Sequence, residues 1–289
     1  MYENILVALD GSASSKNALR QAVKFAKLEG AEVAAVSVIP FYEGQLETDI
    51  TPNLLRSIRE PVERILIEAA KTAEADGVVI DTMIGEGDIH EAIINASRAK
   101  NSDLIVVGRR GLTRLSRAFM GSVTARVIGH SPVDVLVVQR DSELGLQNIL
   151  LATDGSEYSE VALGKALSLA RAYKARLNVI SVIDLPEESY AEFGNVTDKI
   201  VERTMDLIKS VKGKAEESHI EVETFIKYGE SYEQIVKTAD ELGAGLICLG
   251  SHGRTGLARL LMGSTAERVI GDARQPVLVI KSARILPLS

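Results

Sequence analysis

The chain repeats itself. "NILVALDGS" at residues 4–12 recurs as "NILLATDGS" at 148–156, and "SVIP" at 37–40 recurs as "SVID" at 181–184, both 144 residues further on. "GRRGLTRLSRAFMGSVTARVIG" at 108–129 recurs as "GSHGRTGLARLLMGSTAERVIG" at 250–271, now 142 residues on, as do "VLVV" from 135 and "VLVI" from 277. Self-similarity of this extent means one folding unit built twice, so the architecture of the first copy dictates that of the second. The offset shrinks because the first copy holds two extra residues between Val38 and Gly87, an insertion that a loop absorbs at little entropic cost. The seam, "RDSELGLQ" at 140–147, predicts domains at 1–141 and 146–289, and a chain of 289 residues is long enough for two.

Each copy alternates short apolar runs with amphipathic segments. In the first copy "NILVAL" reads as a buried strand, and "SASSKNALRQAVKFAKLEG" as a helix stopped by glycine. Then follow strand "VAAVSVI", a helix ending near "IEAAKTAEADG", strand "VVIDTMI", helix "IHEAIINASRAK", strand "LIVVG", a glycine loop, helix "SVTARVIG" and strand "DVLVVQ". Apolar strands separated by helices give a parallel sheet with right-handed crossovers, both faces covered. The expected fold is therefore α/β: two tandem, doubly wound, Rossmann-like domains with strand order 3-2-1-4-5.

In such sheets ligands sit beyond the carboxyl ends of the strands, where the winding order reverses. If strands one and four are neighbours, as in a 3-2-1-4-5 order, the "LDGS" turn after strand one faces the glycine loop after strand four. Gly108 and Gly111 are expected to supply positive φ and close backbone approach, and Gly121-Ser122 opens a helix whose free N–H groups attract anions. The arrangement resembles a phosphate cradle. Charge-assisted hydrogen bonds contribute about 1.5–3 kcal/mol each, so a few of them with a buried base reach the ~8 kcal/mol of micromolar affinity. Arg109, Arg110, Arg114 and Arg117 in one loop, with His252, Arg254 and Arg259 in the other, make both locally basic. Screening confines electrostatics to about 8 Å, so these cations outweigh distant charge. The net charge of −7 and pI near 5.3 argue against broad binding to nucleic acid or anionic membrane. No apolar run approaches a bilayer span and the start lacks a basic leader, so a cytoplasmic protein is expected. The one cysteine, Cys248 in "LICLG", reads as a buried thiol.

At these residues the sequence resembles the universal stress protein family. Asp10 after strand one, and G-x-x-G-x9-G-[ST] between strand four and the last helix, are that family's adenine-nucleotide signature. Both copies carry it, at Gly108, Gly111 and Gly121-Ser122 and again at Gly250, Gly253 and Gly263-Ser264. The resemblance implies that Asp10 and Asp154, beside Leu9 and Thr153, contact adenine with main chain at Val38 and Val182. It implies that the glycines, with Arg109, Ser122-Val123, Ser251 and Ser264-Thr265, hold ribose and phosphates. ATP with Mg²⁺ is the expected ligand, AMP and ADP the alternatives. Family likeness also implies pairing through the last strands, within one chain as a pseudo-dimer or between two as a homodimer, and an unknown protein partner that reads the nucleotide state. Two departures mark the first copy: Arg109-Arg110 stands where Ser251-His252 stands in the second, and Asp134 where the second has Pro276.

Two other classes compete. No GxxxxGK[ST], HxGH or SGGxDS motif occurs, and no carboxylate lies within either glycine loop to position a water, so the expectation is a binding protein with at most weak ATPase activity. A nucleotide-free interaction scaffold would keep the glycines for tight packing alone. A GxxG clamp for RNA belongs between two helices, whereas this one follows a strand. Ser264 with Glu267 reads as a capping box. No Cys or carboxylate cluster has metal-ligand spacing, so no resident metal is expected.

Overall fold

A computed structural model describes residues 1–40, 52–111, 120–184, 194–253 and 262–281. The chain forms two compact units that meet between Ser142 and Glu143. The first runs β1 (Asn4–Ala8), α1 (Ala13–Glu29), β2 (Glu32–Pro40), α2 (Pro52–Ala75), β3 (Ile80–Gly87), α3 (Ile89–Ala99), β4 (Leu104–Gly108), α4 (Ser122–His130) and β5 (Asp134–Val138). The second runs β6 (Asn148–Ala152), α5 (Glu157–Tyr173), β7 (Arg176–Ile183), α6 (Gly194–Glu217), β8 (Val222–Tyr228), α7 (Ser231–Leu242), β9 (Leu246–Gly250), α8 (Ser264–Asp272) and β10 (Val277–Ile280).

Within the first unit the strands lie in the order β3-β2-β1-β4-β5, and within the second β8-β7-β6-β9-β10, all parallel. This is the expected doubly wound order. Central strands β1 and β4 are apolar because helices cover both faces: Ile5–Val7 and Leu104–Val107 are buried. The outer strand β3 is exposed at Asp81, Thr82 and Glu86 and buried only at its ends, Ile80 and Gly87.

Two local rules place the helix ends. Ser12 caps α1 by accepting from the Ser15 N–H, and Gly30 ends it in the left-handed region at φ 70°. The strand expected from Val78 begins instead at Ile80. Gly77, at φ 75°, lets the Val78 N–H return to the Ala73 carbonyl and the Gly77 N–H to Glu74, so these residues close the end of α2 and Val79 is left 91% exposed. The apolar run was long enough for a strand, but the helix C-terminus took its first two residues.

Asp134, where the second copy has proline, has a structural account. Its carboxylate accepts from the Tyr2 hydroxyl at 2.7 Å, both groups being buried, and the Tyr2 ring meets Phe25 edge-on at 5.7 Å. The second copy has Leu146 and Pro276 at the two positions, so a buried polar pair in one unit is replaced as a pair by apolar residues in the other.

Candidate functional site: the carboxyl edge of each sheet

The site is built from two turns that follow adjacent strands. After β1 the Leu9 N–H donates to the Val36 carbonyl at 2.8 Å, which keeps the chain beside β2 for one more residue. The turn then closes on Asp10. Its Oδ1 accepts from the Ser12 N–H at 2.9 Å, and Gly11 takes φ 79°. Only glycine adopts that conformation without strain. The second copy repeats each contact: the Thr153 N–H donates to Ile180 at 2.9 Å, Asp154 Oδ1 accepts from Ser156 N–H at 3.0 Å, and Gly155 has φ 77°. Val38 and Val182 lie two residues beyond those accepting carbonyls, half-buried on the same edge.

The turn after β4 is fastened from both sides. Arg109 donates its N–H to Val138 at 2.8 Å and accepts at its carbonyl from Gly121 at 3.0 Å, tying the end of β5 to the start of α4. The Ser12 hydroxyl donates to the Arg110 carbonyl at 3.3 Å, joining the two turns. In the second unit the Ser251 carbonyl accepts from the Gly263 N–H at 2.9 Å, and Ser251 itself is 1% exposed.

The glycines divide into two kinds, which corrects the expectation for them. Neither Gly108 nor Gly111 has a positive φ; that conformation belongs to Gly11 and Gly155 in the aspartate turns. Gly108 serves close packing, since a Cβ there would fall 2.8 Å from the Ser15 nitrogen and 2.9 Å from Ser14. Gly250 packs the same way, 2.8 Å from Tyr158. Gly111 and Gly253 instead clear the space over the aspartates: a Cβ would fall 2.5 Å from Asp10 Oδ2 and 2.7 Å from Asp154 Oδ2.

Gly121 and Gly263 are the N-caps of α4 and α8 and make no side-chain cap hydrogen bond. The capping box expected at Ser264 and Glu267 therefore does not form, because Ser264 is the first helical residue and its N-cap has no side chain. Ser122, Ser264 and Thr265 are exposed and Val123 half-buried at these helix starts. First-turn N–H groups without a side-chain cap attract negative charge, aided by the helix dipole. One feature was missed in the sequence. Tyr158, at the position of Ser14, lies with its ring 5.0 Å from that of His252, whose Nδ1 is 3.2 Å from the Ser251 hydroxyl. Its only trace was the aromatic residue two places after a helix cap. Arg114, Arg117, Arg254 and Arg259 lie outside the described residues, as do most of the segments 40–53 and 184–195 that leave β2 and β7.

A cleft of about 290 Å³ between α1 and α2 reaches this edge at Leu9, Gly11 and Ser15, and larger depressions lie at the opposite edge. Among the described residues no helix is long and apolar enough to cross a membrane, no group of three or more His, Cys, Asp or Glu is arranged to hold a metal, and Cys248 is buried.

Strand order, an aspartate turn facing a glycine loop, and their exact repetition define a class: tandem, doubly wound α/β proteins with a loop site at each carboxyl edge. The model of the universal stress protein family matches residues 1–139 and again 145–281, and the chain belongs to that family. It is 27% identical to a universal stress protein of Mycolicibacterium smegmatis over 96% of both chains, and 36% identical to the universal stress protein MJ0531 of Methanocaldococcus jannaschii over 50% of this chain and 88% of that one. A universal stress protein structure from Archaeoglobus fulgidus superposes with a TM-score of 0.71 at 26% identity, covering 96% of this chain and 98% of that one.

Proposed function

We propose that each unit binds an adenine nucleotide, ATP with Mg²⁺ in the first instance, between its aspartate turn and its glycine loop, and that occupancy regulates a stress response through a protein partner. One observation carries the reading. Both copies keep a bare glycine directly over the Oδ2 of the turn aspartate, at 2.5 and 2.7 Å from where a Cβ would stand. They do so although Leu9 and Thr153, Ser14 and Tyr158, and Arg110 and His252 have diverged around it. A packing role explains Gly108 and Gly250 but not this pair, whose missing Cβ meets only a carboxylate.

In this reading the Oδ2 atoms of Asp10 and Asp154 accept from the exocyclic amine of adenine, and main chain at Val38 and Val182 meets the base. The N–H groups at Gly121-Ser122-Val123 and Gly263-Ser264-Thr265 take the phosphates, which themselves carry the Mg²⁺. Hydrolysis is slow or absent because neither described loop segment offers a carboxylate or glutamine to orient water. A reducing cytoplasm suits the single buried thiol.

The test is calorimetric titration of Mg²⁺-ATP into protein unfolded, stripped of nucleotide and refolded, with AMP and ADP in competition. Two sites per chain support both cradles. One site assigns the difference to Arg109-Arg110 against Ser251-His252, and no binding by folded protein sinks the reading.

A further inference from the structure

The amino edge of the second unit's sheet, opposite the edge just described, carries a cleft of about 830 Å³ where the end of α5 meets the turn between α6 and β8. The first unit has a depression of about 550 Å³ at the corresponding place. The two have diverged in one direction. Gly30, Glu32 and Gly77 of the first copy are replaced by Lys174, Arg176 and His219 in the second.

The backbone is left-handed at two of these points in both copies, with φ 70° at Gly30 and 75° at Gly77, and 52° at Lys174 and 55° at His219. Glycine adopts this region freely, whereas an L side chain crowds its own carbonyl there. A Cβ at Gly30 or Gly77 would meet nothing within 4 Å, so packing is indifferent and conformation alone favours glycine. The second copy thus holds two side chains where its backbone disfavours them, both lining one cleft. Strain kept in this way marks a functional position.

Arg171 has a structural duty common to both copies: it donates to the Ser218 carbonyl at 2.8 Å, as Lys27 does to Asp76 at 2.8 Å. Lys174, Arg176 and His219 make no side-chain hydrogen bond or ion pair among the described residues. In the first copy, by contrast, Lys100 is paired with Asp81 at 2.6 Å. Glu221 and Glu223 also line the second cleft, so the three cations Arg171, Lys174 and Arg176 face two carboxylates.

We propose that this cleft is a second ligand site, specific to the second unit, for a small phosphorylated molecule. Arg176 and Lys174 supply the donors that a phosphate group takes, the guanidinium in bidentate fashion. The volume exceeds that of phosphate alone, and Glu221 and Glu223 accept from hydroxyl groups on the remainder.

The experiment is titration of inorganic pyrophosphate and of glycerol 3-phosphate into the full chain, the first probing phosphate alone and the second a phosphate ester. Lys174→Gly/His219→Gly restores the first copy's residues and is expected to weaken binding at least tenfold while raising the thermal midpoint without ligand. Arg176→Gln, which relieves no strain, weakens binding without that rise. Phosphate bound at the opposite edge persists in these variants and is lost in Gly111→Val/Gly253→Val, which separates the two sites. Equal binding by wild type and the glycine variant, a lower midpoint in that variant, or no stoichiometric binding of either probe overturns the proposal.

Discussion

Replacing single glycines by alanine separates the two roles within one loop. At Gly108 the new Cβ would stand 2.8–2.9 Å from backbone and Cβ atoms of Ser14 and Ser15, where about 3.5–4.0 Å is comfortable. Those atoms begin α1, so the helix must retreat from β4 by most of an ångström. Overpacking of this kind costs about 1–3 kcal/mol, or roughly 4–10 °C in a domain of this size. At Gly111 the Cβ would stand 2.5 Å from Asp10 Oδ2 and otherwise no closer than 3.7 Å. The carboxylate can swing away, weakening its bond from the Ser12 N–H at 2.9 Å. That loss is about 1 kcal/mol and is offset by the ~0.4–1 kcal/mol that alanine gains by restricting the unfolded chain. Stability should thus change by under about 1 kcal/mol, while ATP affinity at that site falls by about 1.5–3 kcal/mol, a factor of ten to a hundred or so. Thermal melts and calorimetric titration of Gly108→Ala and Gly111→Ala, with Gly250→Ala and Gly253→Ala as the duplicate pair, read both quantities. A Gly108→Ala protein as stable as wild type, or a Gly111→Ala protein destabilised with binding intact, would refute the division.

Other expectations follow from single contacts. Tyr2→Phe strips the buried Asp134 carboxylate of a 2.7 Å hydrogen bond and should cost about 1–3 kcal/mol in urea melts; combining it with Asp134→Ala should cost less than the sum, as a coupled pair requires. Asp88 caps α3 by accepting from the His90 N–H at 3.0 Å and also pairs with the His90 ring. Desolvation opposes its ionisation, but hydrogen bonds from the His90 and Glu91 backbone and the charge of His90 outweigh that and hold its carboxyl below the usual range. Its contribution is complete above the ordinary carboxylate range and is lost as pH falls through the lowered folded value, so Asp88→Ala should flatten the acid limb of a stability profile. Exchanging Lys174 alone for glycine should raise the thermal midpoint by a few degrees.

Much of this protein was legible in its sequence. Hydrophobic periodicity distinguishes buried strands from amphipathic helices without knowledge of their partners, and duplication tests every reading twice, so the alternation of elements was legible, and a 3-2-1-4-5 strand order then set each aspartate turn beside its glycine loop. Spacing cannot say what a missing Cβ would strike. Gly108 and Gly111 look alike in "GRRG", and only the approach of α1 on one side and of Asp10 on the other separates a packing glycine from one that keeps a carboxylate clear. The start of β3 was equally hidden, because the return of the Val78 N–H to Ala73 outweighed the strand preference of two valines. So was the pairing of Tyr2 with Asp134 across 132 residues, and so was the gathering of Lys174, Arg176 and His219 into one cleft. Local pattern along the chain determined the elements and their order; which groups those elements bring within 3 Å of each other is a property of packing between distant segments, and only the tertiary structure decided it.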